Sequence, residues 1–309
     1  MSIVQGKQTG ASTLWSGHAS RDNSEKKGPD MKVIETVDEM RRLRRTLAEP
    51  VGFVPTMGYL HEGHLSLVKR AREVNATVVV SIFVNPTQFG PCEDLEDYPR
   101  DIQRDLAMLE ELDTDVVFMP SPDEVYPPQF NTWVEVTRLT ERLEGAARPT
   151  HFRGVTTVVA KLFNIVQPTR AYFGQKDAQQ AIVIQKMATD LNMDLDVIVC
   201  PTIREHDGLA MSSRNIYLTP EQRRSAVVLS QSLKLAERLW ADGDRNAERI
   251  RGEMRQLIEQ QPEGQIDYLS VADTLTLEEL DTITSTALVS LAVRFGKTRL
   301  LDNVVLRPD

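Results

Sequence analysis

Five histidines occur among 309 residues, and two of them, His61 and His64, flank a glycine in PTMGYLHEGHLSLV, residues 55–68. Histidine can ligate a metal, carry a proton or hold an anion, and the spacing separates these uses. The helical zinc motif of metalloproteases sets its histidines four apart around a Glu, and HEGH is one residue short of that. Three residues apart at the start of a helix, two side chains share a face. Free backbone N–H groups and the positive end of the helix dipole gather there, which suits a phosphate. The pair reads as an anion site, with Gly63 letting the ligand approach the backbone; the competing reading is that both histidines cap or support the helix. Lys176, in FGQKD, repeats the theme, because a lysine at a helix start opposes the dipole unless an anion sits beside it.

Positioning such groups needs a frame. VGFVPT (51–56), TVVVSIFVN (77–85), DVVFMP (115–120), RAYFG (170–174) and LDVIVCP (195–201) are apolar, β-branched runs of strand length. Helical spacing intervenes in LSLVKRAREV, near DIQRDLAMLEEL (101–112), in VTTVVAKLFNIV (155–166) and in DAQQAIVIQKMATDL (177–191). Strands apolar throughout and separated by helices predict an α/β, doubly wound, Rossmann-like parallel sheet covered on both faces. Ligands of such sheets sit beyond the carboxyl ends of the strands, where HEGH and QKD fall. Past residue 202 the pattern changes. Thr219-Pro220-Glu221-Gln222 predicts a capped helix start, helices follow over 220–241 and 246–260, and strands over 266–273, 285–295 and 298–306 predict a smaller antiparallel α+β domain. The expected division is 1–30, a disordered tail rich in Ser, Gly, Lys and Asp; 31–201, the Rossmann-like domain; and 202–309, the smaller C-terminal α+β domain.

The composition, 41% hydrophobic and 26% charged, is that of a soluble globular chain. A net charge of -9 argues against nucleic acid, whose binding rests on basic side chains neutralising phosphates. No apolar run reaches the length of a membrane span and the first thirty residues lack a secretory signal, so a cytoplasmic location is expected. Cys92 and Cys200 are too few and too distant for a metal site or a disulfide framework.

VPTMGYLHEGH, SIFVNPTQFGPCEDLEDYPR, RPTHFRGV, YFGQKDAQQ and REHDGLAMSSRNIYL together resemble, in order and in register, the blocks of the pantothenate synthetase (pantoate:β-alanine ligase) family, from Met31 to the C-terminus. That family lies in the HxGH nucleotidyltransferase superfamily. The resemblance implies ATP-dependent condensation of pantoate with β-alanine through a pantoyl adenylate, with Mg²⁺ accompanying ATP, a homodimer, and no nucleic-acid or membrane partner. It assigns His61, His64, Lys176 and Arg214 to the α-phosphate and the triphosphate. It places ATP against Pro55, Thr56, Met57, Gly58, Gly174, Asp177, Ile203, Met211, Ser212 and Ser213. Asp177 would accept the ribose hydroxyls or serve as a helix N-cap. Gln88 and Gln180 would grip pantoate near Met57, with Asn85 and Tyr98 in the same pocket. Asp105 matches a position linked with the metal, and its alternative is a solvated helix carboxylate. Glu144, Arg148, His151 and Arg153 fall in a loop that in the family lines the site, and structural ordering of that loop is the alternative. Cys92, Gln175 and Ala178 depart from the family's usual residues. The nearest rival is an HxGH adenylyltransferase acting on a mononucleotide or on phosphopantetheine.

Overall fold

Apolar runs in this chain become strands because each is covered on both faces. A computed structural model describes residues 31–91 and 93–308, so the expected tail over 1–30 and the departure at Cys92 lie outside the described residues. The first part comprises β1 (Lys32–Ile34), α1 (Val37–Arg44), β2 (Val51–Thr56), α2 (Glu62–Val74), β3 (Thr77–Ile82), α3 (Ile102–Glu110), β4 (Val116–Phe118), α4 (Pro122–Val125), α5 (Glu144–Ala147), α6 (His151–Val166), β5 (Arg170–Gly174), α7 (Ala178–Asp190) and β6 (Asp196–Cys200). These strands form one parallel sheet in the order β1-β4-β3-β2-β5-β6. From β2 the chain winds outward through β3 and β4, then returns to β5 on β2's other side. The crevice beyond the β2 and β5 carboxyl ends is therefore the topological switch point, where an open α/β sheet binds its ligand.

The second part comprises α8 (Pro220–Ser225), α9 (Val228–Ala241), α10 (Ala247–Glu259), β7 (Gly264–Asp273), β8 (Ala287–Phe295) and β9 (Thr298–Leu306), the strands antiparallel in the order β7-β8-β9. Thr219 and Gln222 make the expected capping box. β8 is buried at eight of its nine positions. Val289, Leu291 and Val293 on one face join Leu229, Leu233, Ile250 and Met254 in one core. Leu288 on the other face joins the α6–β5 core with Phe163 and Phe173. Each such apolar side chain contributes about 1.5–3 kcal/mol on burial, so the second sheet adheres to the first part as well as to its own helices. Met31–Asp309 accordingly form one compact unit with two sheets.

Beyond shifts of a few residues in strand limits and the helices α1, α4 and α5, which the sequence reading did not include, the structure departs from it at three places. β1 is only three residues long, too short for a periodic signal, and is held by pairing with β4. The helix expected over 220–241 divides at Ala226–Val227. α6 begins at His151, four residues before the expected start, so His151 and Arg153 are helical and not in a loop. Gly154 explains that miss. It reads as a loop residue, yet a Cβ there would lie 2.4 Å from the Thr87 carbonyl oxygen, so the glycine serves close packing of α6 on the turn after β3.

Candidate active site

β2 ends in Thr56, and the chain turns through Met57, Gly58 and Tyr59 into α2. Gly58 has φ +83°, and a Cβ there would meet Ile82 and the Asp105 carboxylate. Asp105, only 1% exposed, reaches from α3 and accepts the N–H groups of Tyr59 at 2.7 Å and Leu60 at 2.8 Å. Burial nevertheless raises its pKa. Its carboxylate holds the turn that presents the histidines and does not line the cavity, which corrects the reading of a solvated helix carboxylate.

His61 is the N-cap of α2: its Nδ1 accepts the Gly63 N–H at 3.1 Å, while His64 Nδ1 accepts the His61 N–H at 3.4 Å. Capping and cavity lining, posed as alternatives by the sequence, coexist here. With Nδ1 accepting, each neutral ring carries its proton on Nε2, leaving one N–H donor per ring. The rings lie 4.1 Å apart. Burial, then the charge of Lys176, lowers the pKa of His61 to about 4, and burial followed by His61 holds His64 well below the usual range. Both are uncharged at neutral pH. A Cβ on Gly63 would lie 2.8 Å from the His61 ring, so this glycine makes room for the histidine, and it lines the cavity as well.

Lys176 and Asp177 follow β5 in a short 3₁₀ turn, Nζ 3.5 Å from the Asp177 carboxylate. Asp177 occupies the N-cap position of α7 without a side-chain capping bond. Asn303 on β9 fixes this turn by donating to the carbonyls of Gln175 and Lys176 at 2.9 and 2.8 Å, and Gln175 donates back to its Oδ1 at 2.9 Å. The glutamine thus has a specific partner. A lone asparagine in a strand gives no sequence signal of this.

Beyond β3, Asn85 is 1% exposed and saturated: it accepts from Thr87 and from the Tyr126 hydroxyl and donates to Gln88 Oε1 and the Gly154 carbonyl. It lines the pocket as a support for Gln88, whose Nε2 also contacts Met57 Sδ at 3.1 Å. Gln180 lines the cavity from α7, while its neighbour Gln179 is spent on the backbone of Leu139, Arg142 and Glu144. His151 Nδ1 donates to the Gln88 carbonyl at 2.9 Å, which leaves Nε2 to accept from Arg148 Nη1 at 3.2 Å. Its tautomer is therefore opposite to that of His61 and His64. Burial, then the Arg148 charge, lowers its pKa to about 4.

From the second part, Met211 N–H pairs with the Ile203 carbonyl, Ser212 Oγ accepts the Arg214 N–H at 3.2 Å, and Ser213 Oγ donates to the Tyr59 carbonyl at 3.3 Å. Ser213 thereby joins this loop to the histidine turn, while Ser212 caps the loop's own 3₁₀ turn. Arg214 lies over the Tyr98 ring, 5.9 Å from its centroid, and pairs bidentately with Asp94. Glu93 pairs in the same way with Arg148, and Glu144 with Arg299 on β9. Asp94, Glu93, Arg299 and Asn303 were not singled out from sequence, since ion pairs across long separations leave no local pattern.

Together these side chains line one cavity of about 270 Å³. It brings together Pro55, Thr56, Met57, His61, Gly63, His64, Asn85, Gln88, Tyr98, Glu144, Arg148, His151, Gly174, Lys176, Asp177, Gln180, Ile203, Met211, Ser212, Ser213 and Arg214; of the residues expected at the site from sequence, Gly58, Asp105 and Arg153 fall outside it. Neutral N–H donors, a lysine and an arginine converge with a pair of amides, an arrangement suited to a polyanion beside a small polar acid.

The family model for pantoate-beta-alanine ligase matches residues 32–305. The chain belongs to the pantoate-beta-alanine ligase family. It is 58% identical over 276 residues to the pantothenate synthetase of Roseiflexus castenholzii, covering 89% of this chain and 99% of the relative. It is 56% identical over 279 residues to that of Thermotoga petrophila, covering 89% and 100%. Among solved structures, the pantothenate synthetase of Thermus thermophilus superposes with a TM-score of 0.86 at 47% identity, covering 90% of this chain and 100% of that one. The pantoate-beta-alanine ligase of Francisella tularensis, complexed with beta-gamma ATP and beta-alanine, superposes with a TM-score of 0.74 at 35% identity, covering 89% and 98%. These matches give no support to the mononucleotide or phosphopantetheine alternative.

Proposed function

We propose that the protein condenses pantoate with β-alanine at the expense of ATP, giving pantothenate, AMP and pyrophosphate. The observation that carries this reading is the convergence, at the switch point between β2 and β5, of the histidine pair, Lys176 and Arg214 with Gln88 and Gln180, in a member of this ligase family. In the first step a pantoate carboxylate oxygen forms a bond to the α-phosphorus as the bond to the bridging oxygen breaks, and pyrophosphate leaves. Such displacement asks the protein for alignment and neutralisation of charge. His61 and His64, neutral with Nε2–H, donate to the phosphate oxygens, while Lys176 and Arg214 supply the positive charge. In the second step the neutral β-alanine amine attacks the acyl carbon, AMP departs, and the amine sheds its proton.

Gln88 and Gln180 orient pantoate with amides that can donate and accept without adding a charge that would weaken the nucleophile. The wall formed by β8 and β9 screens the acyl adenylate from water. Mg²⁺ belongs to this reading as the companion of ATP, held by phosphate oxygens and water, since no cluster of three or more His, Cys, Asp or Glu suited to an ion occurs among the described residues and Asp105 is committed to the backbone. A cytoplasmic homodimer completes it, on family resemblance. The test is exchange of labelled pyrophosphate into ATP with Mg²⁺. Exchange should require pantoate and give way to AMP and pantothenate on adding β-alanine; exchange that ignores pantoate sinks the assignment.

A further inference from the structure

Three arginines line the cavity and each is held at two points by a carboxylate: Arg148 by Glu93, Arg299 by Glu144 and Arg214 by Asp94. They are not equivalent. The Glu144–Arg299 side chains are 9% and 14% exposed, and Arg299 is further tied to Asp267. Arg148 is braced again by His151 and by the Gln88 carbonyl. The Asp94–Arg214 side chains are 27% and 32% exposed, the most open of the three pairs. Asp94 takes Nε at 3.0 Å and Nη2 at 2.9 Å, the fork of donors that a phosphate would also engage bidentately. A carboxylate so placed cannot stay beside an incoming triphosphate, because like charges at contact repel strongly in a partly desolvated site. Asp94 belongs to the segment between β3 and α3, whose next residue but two, Asp97, accepts at its carbonyl from Tyr217 at 2.9 Å.

We propose that Asp94 is a built-in stand-in for the triphosphate: it holds Arg214 by the donors that ATP uses, is displaced when ATP binds, and recaptures the arginine as pyrophosphate leaves. The proposal rests on the reading of Arg214 as a triphosphate clamp. Because one anion is exchanged for another, Arg214 stays oriented throughout, and nucleotide affinity is held down in favour of turnover.

Calorimetric titration of the full chain with MgATP, and separately with inorganic pyrophosphate, tests it. Asp94→Asn should tighten both by roughly 3- to 10-fold, about the free energy of one partly exposed ion pair. In an Arg214→Gln background the same change should move affinity less than about 2-fold, the coupling that a double-mutant cycle isolates. Asp94→Ser, with unfolding midpoints for every variant, guards against a substitution that merely disturbs the fold. Unchanged or weaker binding in both Asp94 variants overturns the proposal, as does tightening of equal size without Arg214, which would reflect only the loss of a negative charge. A wild-type protein that binds no ATP would instead overturn the proposed function itself; ATP binding indifferent to Asp94 leaves that reading standing and removes this one.

Discussion

His151 should remain uncharged well below the pH at which a free imidazole protonates, and lowering the pH should weaken the fold through it. Burial and the Arg148 guanidinium bring its pKa from 6.5 to about 4. The native state therefore binds fewer protons than the unfolded chain between these values. Stability from this residue is complete above pH 6.5 and declines as pH falls toward 4. The gap corresponds to about 3 kcal/mol at full protonation, and about 2 kcal/mol is already lost at pH 5. His151→Asn keeps a donor for the Gln88 carbonyl and removes the titration. Urea unfolding of wild type and variant at pH 7.5 and pH 5 should then differ in pH dependence by about 2 kcal/mol, contributions from His61 and His64 being common to both. With only five histidines in the chain, single substitutions suffice to assign the ring ¹⁵N resonances. These should show His151 protonated on Nδ1 but His61 and His64 on Nε2. A His151 midpoint near 6.5, or equal pH dependence in the two proteins, would refute the reasoning.

Three further predictions concern the site. His64→Ala removes one donor aimed at the α-phosphate and should lower pantoate-dependent pyrophosphate exchange by ~10² to 10³, beside a cost of about 1 kcal/mol for the lost helix cap; a decrease below about fivefold would deny the histidine that role. Gly154→Ala forces α6 away from the Thr87–Gln88 backbone and should raise the KM for pantoate roughly tenfold or more while ATP binding changes little, as measured by initial rates and calorimetry. An unchanged pantoate KM would mean that the turn yields without moving Gln88. Asp105→Asn leaves a buried N–H of Tyr59 or Leu60 facing an amide donor and should cost about 1–3 kcal/mol in thermal unfolding, with the Mg²⁺ dependence of activity unaltered. A shift in Mg²⁺ requirement at constant stability would favour the metal reading instead.

Much of the architecture was legible in the chain because each strand is apolar on both faces and each helix is periodic. VGFVPT and TRLLDNVVL emerge as strands with the expected limits. The placement of His61, His64 and Lys176 at the carboxyl edge follows from their positions just after β2 and β5, since a parallel sheet aligns those ends whatever the side chains beyond do. Gln88 and Gln180 could be named only through the resemblance, because a lone glutamine carries no periodic or motif signal.

What the tertiary structure alone decided is how those groups are held and charged. The Nε2–H donors follow from capping bonds two and three residues away, but nothing local says that both histidines are neutral or that Asp105 serves the backbone, because burial sets the first and partners more than forty residues away set the second. The same is true of Asn303 beneath the lysine turn and of Asp94 on Arg214, separated by 127 and 120 residues from what they bind. The sequence by itself determined which chemical groups stand at the carboxyl edge of the sheet, through strand ends and helix starts. Long-range packing determined their protonation, their orientation and which of their donors are already taken, because those depend on neighbours that only the folded chain brings within hydrogen-bonding distance.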